Sequence, residues 1–300
     1  MGKVHKIKCV VLGSQGFLGG AMYRFLDKNK KYTVVTSALD LTDYNNALIV
    51  TKGMSEVYLF AASMGGIGFF SKQNYYPPIT NFLIDLNVLR ACEENKVKRL
   101  FYPASACAYP VNLMNEGVEL KETQLNGMMN PDQMYGWEKL TMIKLMRNSP
   151  IDVRVGILHT IYGEGQEYEG DKAKFPPQIA YKALKSIKSK KIEVWGDGEQ
   201  TRTFLYIDDA IEKIYRVMKS KKYNGEVNIG SDKEVSINQI VKLCCDILKI
   251  KPKIKYQLDK PTGPTRRRCN NDKFNKLYGK IRETYLRVGF RRIIKYLKNV

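Results

Sequence analysis

A chain of 300 residues, 44% of them hydrophobic, can bury a sizeable core as one large or two modest domains, and no apolar run is long enough to span a membrane. Six cysteines without a CxxC pair and only two histidines argue against a metal centre and predict free thiols. The formal net charge of +20 is spread along the chain, with Lys runs at 28–31, 185–191 and 218–222, which reads as a solvated surface rather than a nucleic-acid platform.

The basic N-terminus leads into a short Val/Ile-rich run at 7–12, which reads as a first strand and not a secretory leader, so a cytoplasmic protein is expected. Gly13-x-x-Gly16-x-x-Gly19 follows, and then a helix with apolar residues at Phe17, Leu18, Met22, Phe25 and Leu26. Strands are predicted at 32–37 and 56–62, a helix over 81–96, a strand at 99–105, a helix over 135–148 and a strand at 152–158. Strands alternating with helical runs predict an α/β fold, a Rossmann-type doubly wound parallel sheet. The second half is less regular: a helix entered through Pro176 and Pro177, then strand, turn, strand and helix over 192–220. A short strand at 226–231, a helix at 236–248, a loop "KPTGPTRRRCN" and a closing helix complete it. The expected division is a dinucleotide-binding unit of residues 1–158 plus about 203–230, and a smaller, discontinuous α/β substrate-binding lobe of about 159–202 plus 231–300.

The glycine turn between the first strand and its helix suits a dinucleotide pyrophosphate. Gly13 permits the tight turn, Gly16 lets backbone approach the phosphates, and Gly19 permits close helix packing. The start of the helix, with Phe17 and Leu18, supplies N–H donors and a positive dipole end. After the second strand stands Thr36-Ser37-Ala38, with neither the acid that marks NAD nor the arginine that marks NADP. Asp40 reads either as an adenine contact or as an N-cap.

Tyr135 and Lys139 are spaced i, i+4 and share one helix face, where the ammonium would lower the phenol pKa and ready it for proton transfer. Ser105, at the end of a strand about thirty residues earlier, would bond the same reacting hydroxyl. Cys107 two residues on is either a small buried residue or an acid/base group, the thiol pKa lying within reach of neutrality.

The glycine turn, Ser105 and the YxxxK pattern resemble the extended short-chain dehydrogenase/reductases that modify nucleotide sugars. The stretches "AASMGGIGF" (61–69), "SACAYP" (105–110), "YGWEKL" (135–140), "WGDGEQTRTF" (195–204) and "VNIGSDKEVS" (227–236) are most similar to the GDP-mannose 3,5-epimerases, and next to the GDP-fucose synthases. The resemblance implies a tightly bound NAD, with NADP the alternative, and oxidation of the sugar at C4. Cys107 and Lys174 would then move the acidified C3 and C5 protons from opposite faces. Lys174 stands where the epimerases have Lys and the synthases His, with Lys172 close by. The resemblance further implies substrate contacts from Gly65, Gly66, Lys182, Gln200, Thr201, Arg202 and Arg268, a GDP-sugar substrate and a homodimer. Arg266 and Arg267 receive no role. Thr160 replaces an epimerase Asn, and the short segment after the second strand is as in the synthases.

Overall fold

The computed structural model describes residues 6–223 and 225–300, so the first five residues of the expected dinucleotide-binding unit lie outside it. The described residues form thirteen strands, in chain order Ile7–Leu12 (β1), Tyr32–Ser37 (β2), Glu56–Leu59 (β3), Arg99–Ser105 (β4), Glu119–Leu120 (β5), Asp152–Leu158 (β6), Thr160–Tyr162 (β7), Lys191–Trp195 (β8), Thr201–Tyr206 (β9), Val227–Ile229 (β10), Glu234–Ser236 (β11), Lys253–Gln257 (β12) and Arg266–Cys269 (β13).

β1 is apolar from Cys9 to Leu12 because both its faces are covered. Cys9 and Val11 enter one core with Met22, Ile211 and Ile214, while Val10 and Leu12 enter a second with Ile84, Val88 and Ile143. A strand buried on both sides reads as a continuous hydrophobic run, as parallel sheets require. The sheet runs β10-β6-β4-β3-β1-β2 and is parallel throughout. β2 and β3 leave β1 in opposite directions, so the glycine turn sits at the topological switch point, where such sheets bind ligands. The helix Ile207–Lys219 packs beside the helix Phe17–Asp27, with Asp208 and Asp209 in its first turn and Arg216 and Lys219 in its last, matching its dipole.

The other lobe holds a second sheet, β11-β9-β13-β5, with β7 on β9, and a separate parallel pair of β8 and β12. Its composition departs from the expected division. β5 comes from the first half of the chain, and residues 203–206, expected in the dinucleotide unit, continue β9 here. The segment expected as a loop contains β13, whose Arg266 and Arg267 pair with Thr201 and Arg202 of β9. The helix read from 81 begins at Tyr76, because Pro77 and Pro78 fall in the first turn, where no N–H is needed. Among the described residues, no helix is long and apolar enough to cross a membrane, and no cluster of three His, Cys, Asp or Glu could hold a metal ion.

Candidate active site

A cleft of about 1060 Å³ lies at the C-terminal ends of β1, β3, β4 and β6 and runs under the second lobe. Gln15, Gly16, Phe17, Leu18 and Gly19 form one end of its wall. Gly13 shapes this turn from behind. Its φ of +79° is a left-handed value, and a Cβ would lie 2.5 Å from the Ala61 nitrogen. A Cβ on Gly19 would overlap the Gly13 carbonyl, so helix and turn pack at backbone contact. Gly16 caps the helix Phe17–Asp27 without any side chain on its first N–H groups. Those donors face the cleft, so the turn fits a dinucleotide pyrophosphate. Asp40 is exposed and off the cleft wall. It accepts from the Thr42 backbone N–H at 2.9 Å and from its hydroxyl at 2.8 Å, whereas the N-cap of the next helix is Asp43. The N-cap role offered for Asp40 therefore falls to Asp43.

Midway along the cleft, β4 ends at Ser105, whose Oγ accepts from the Cys107 N–H at 3.2 Å and so turns the chain through Ala106–Ala108. The helix Gln133–Arg147 brings Tyr135 to the same place, its ring stacked on Phe70 at 4.7 Å between centroids. Gly136 allows this approach, since a Cβ there would collide with the Cys107 carbonyl. Burial holds the Tyr135 phenol above its usual pKa, and Lys139 and Ser105 only oppose that rise. The expected lowering by Lys139 is therefore present but outweighed. Lys139 is itself paired: its Nζ reaches Glu138 Oε1 at 3.0 Å, the Tyr102 hydroxyl at 3.1 Å and Asp85 Oδ2 at 3.3 Å, all buried. Burial alone would lower the Lys139 pKa, yet Asp85 and Glu138 raise it further than burial lowers it. Glu138, by burial against the pull of Lys139, rises to about 7. Asp85 and Tyr102 escaped the sequence reading because they stand far from the YxxxK pattern. Glu138 lies inside the pattern, but i, i+4 spacing does not single it out.

Cys107 is half-buried, while the other five cysteines are buried. Cys107 lies within electrostatic reach of Arg267, Lys174 and Arg202. Lys174 caps the helix Phe175–Ser189 and donates to the Gly65 carbonyl. Burial depresses its pKa to about 8, against a weaker opposing effect of Cys107. Lys172, by contrast, is exposed, 5.7 Å from the Phe69 ring. A Cβ on Gly66 would strike the Ala173 carbonyl, so the two lobes meet there at backbone distance.

At the far end, Lys182, Gln200, Arg202 and Arg267 line the cleft with Trp195. Arg202 donates to the Thr201 carbonyl at 2.7 Å and the Thr262 carbonyl at 3.1 Å. Burial and then the Arg267 charge press its pKa down. Two guanidiniums crowded this way favour an anion between them. Lys182 donates to the Glu193 carbonyl at 3.2 Å, and burial lowers its pKa. Two expected residues do not line the cleft. Thr201 bonds Glu234 at 2.5 Å, and Arg268 pairs with Glu119 at 3.4 Å. Arg267 occupies the place foreseen for Arg268, held at 2.8 Å by Asp132. Alternation along β13 sends Arg267 to the face opposite Arg266 and Arg268.

Residues 9–230 match the NAD dependent epimerase/dehydratase family, and the chain belongs to it. Within it, the chain is 34% identical over 260 residues to GDP-mannose 3,5-epimerase 1 of Oryza sativa subsp. japonica, covering 79% of this chain and 68% of that protein. It is 31% identical over 308 residues to GDP-mannose 3,5-epimerase of Arabidopsis thaliana, covering 95% and 80%. The fold is shared with UDP-glucose 4-epimerase of Thermotoga maritima (TM-score 0.86, 19% identity, 98% and 99% covered). It is shared likewise with the NADP-bound GDP-L-fucose synthetase of Naegleria fowleri (TM-score 0.83, 18% identity, 98% and 93% covered).

Proposed function

We propose that the protein is a GDP-mannose-type 3,5-epimerase with a tightly bound dinucleotide, NAD being preferred over NADP. The observation that carries this reading is Cys107 and Lys174 facing one cleft beside Ser105, Tyr135 and Lys139. The dinucleotide, when bound, supplies reversible oxidation of the sugar at C4. Tyr135 takes the C4 hydroxyl proton, with Ser105 orienting that hydroxyl and Lys139 favouring the phenolate. The C3 and C5 protons of the 4-keto sugar are acidified by enolate stabilisation, and Cys107 and Lys174 remove and return them. Arg202 and Arg267 bind the diphosphate, which fixes the ring between the two bases. Incubation with GDP-mannose in heavy water should place deuterium at C3 and C5 without net cofactor consumption; absence of exchange with every GDP-hexose tried would overturn the reading. A fucose-synthase-like reductase, favoured by the short segment after β2, would instead consume NADPH stoichiometrically.

Lys174 should show opposing effects on stability and activity. Its folded pKa of about 8 lies below the ordinary lysine value of 10.5, so native stability falls as pH drops from 10.5 to 8 and the penalty persists below that. Lys174→Met should therefore raise the melting temperature at pH 7 by a few degrees, roughly, while epimerisation collapses. Equal melting temperatures at pH 7 would show that the buried charge carries no penalty.

We also infer a cytoplasmic homodimer. The helices Tyr76–Glu94 and Gln133–Arg147 expose Tyr76, Ile79, Leu83, Met134, Trp137 and Leu145 on neighbouring faces, a patch suited to burial against a second copy. Sedimentation should give a dimer for the wild type and a monomer for Trp137→Glu.

A further inference from the structure

Asn228 lies in β10, fully buried, and every hydrogen-bonding position of its side chain is used. Its Nδ2 donates to the carbonyls of Leu120 at 2.8 Å and Asn270 at 3.1 Å. Carbonyls only accept, so the amide orientation is fixed and Oδ1 must face the other way. There it accepts from the Tyr109 hydroxyl at 2.8 Å and lies 3.1 Å from His159 Nε2, which must carry the ring proton. The Asn228 backbone N–H donates to Glu122 at 2.8 Å.

The four side-chain partners come from distinct parts of the site. Tyr109 stands two residues after Cys107 in the turn that follows β4. His159 precedes Thr160 on the cleft wall. Leu120 ends β5, and Asn270 follows β13, the strand that carries Arg267. One amide therefore joins the turn bearing Cys107 to the strand bearing Arg267, which lines the same cleft. Tyr135 and Lys139 are held elsewhere, by Asp85, Tyr102 and Glu138.

We propose that Asn228 is a positioning residue for Cys107, acting through Tyr109, and that it serves proton transfer at C3 and C5 but not oxidation at C4. The second half of this statement rests on the epimerase reading; the positional half does not. Apolar residues could fill the same volume, but none can accept from two donors and donate to two carbonyls at once. Partial loss of such a network leaves buried groups unpaired and loosens what they hold.

The test uses the purified holoprotein and the variants Asn228→Ala, Tyr109→Phe and the double mutant. Tyr109→Phe keeps the ring and removes only the hydroxyl, so it remains informative if Asn228→Ala fails to fold. Alkylation of Cys107 by iodoacetamide, followed by peptide mass spectrometry, reports its setting directly, with the five buried cysteines as internal controls. The rate should shift about fivefold or more in each variant, because displacing the turn by a fraction of an ångström changes the exposure of the half-buried thiol. The double mutant should add nothing to Asn228→Ala, since the two residues act as one link. With GDP-mannose, deuterium exchange should fall about tenfold in Tyr109→Phe while transient cofactor reduction and KM stay within roughly twofold. Unchanged alkylation, additive effects in the double mutant, or equal losses of exchange and cofactor reduction would each overturn the proposal. If the wild type itself exchanges no deuterium, the epimerase reading fails, and alkylation alone decides whether Asn228 positions Cys107.

Discussion

Cys107→Ser is expected to lose epimerisation by about a hundredfold or more, the effect of removing a general acid/base, while still reducing bound cofactor transiently on mixing with GDP-mannose. The substitution keeps size and polarity but replaces the thiol with a hydroxyl of far higher pKa. On the proposed mechanism, oxidation at C4 needs only Ser105, Tyr135, Lys139 and the dinucleotide. Ser105 contributes its Oγ to the Cys107 backbone N–H, a bond the variant retains. Stopped-flow absorbance at the reduced nicotinamide band measures the first step, and deuterium exchange at C3 and C5 measures the second. Tyr135→Phe is the control that should lose both. Epimerisation of Cys107→Ser at close to the wild-type rate would make the thiol a packing group.

Lys139→Met should abolish C4 oxidation and also destabilise the fold by about 3–5 kcal/mol, the range for breaking a buried ion pair from one side. The amine is 3% exposed and lies between two buried carboxyl groups, so its removal leaves Asp85 and Glu138 facing each other without a cation. In the wild type the raised Lys139 pKa means that its contribution is fully present below the ordinary lysine pKa and is lost only as pH rises through the raised value. The variant should behave differently. Without the ammonium Glu138 is more easily protonated, and protonation relieves its repulsion with Asp85. The deficit should shrink as pH falls through about 7, where Glu138 titrates even with its partner in place. Urea unfolding at pH 8 and at pH 5.5 measures this; a deficit independent of pH would place the loss in packing instead.

The parallel sheet was legible because its strands, apart from the edge strand β2, are largely buried on both faces and are bounded by turn residues. The spans read at 7–12, 32–37, 99–105 and 152–158 coincide with β1, β2, β4 and β6. The helix bearing Tyr135 and Lys139 was legible from their spacing, and the tight turn after β1 from three glycines. The second lobe was less so. β5, β7 and β11 are two or three residues long, too short to display a period. β13 consists of three arginines and a cysteine, so alternation leaves no trace in its composition, and nothing in the run distinguishes the inward Arg267 from Arg268. The buried carboxylates behind Lys139 are a tertiary feature: Asp85 lies on a helix whose sequence is ordinary, and only the folded chain brings it to the amine. The match to relatives could suggest a diphosphate-binding arginine, but its identity depended on which face of one short strand meets the cleft.

The interleaving of the two sheets bears on how the protein comes into being. The strands of the second sheet are drawn from residues 119 to 269, and β10, the last strand of the parallel sheet, is made only after β7, β8 and β9. Neither lobe can be excised as a contiguous fragment, and neither has its full set of strands until the other is nearly synthesised. Most of the pairings that build the cleft join residues far apart in the chain, an arrangement that slows folding. The cofactor turn, contained within the first twenty residues, can be shaped early. Arg267 lies on β13, the last strand in chain order, whereas the glycine turn lies near the start. On the function proposed above, the turn for the dinucleotide is synthesised well before the arginine for the sugar diphosphate.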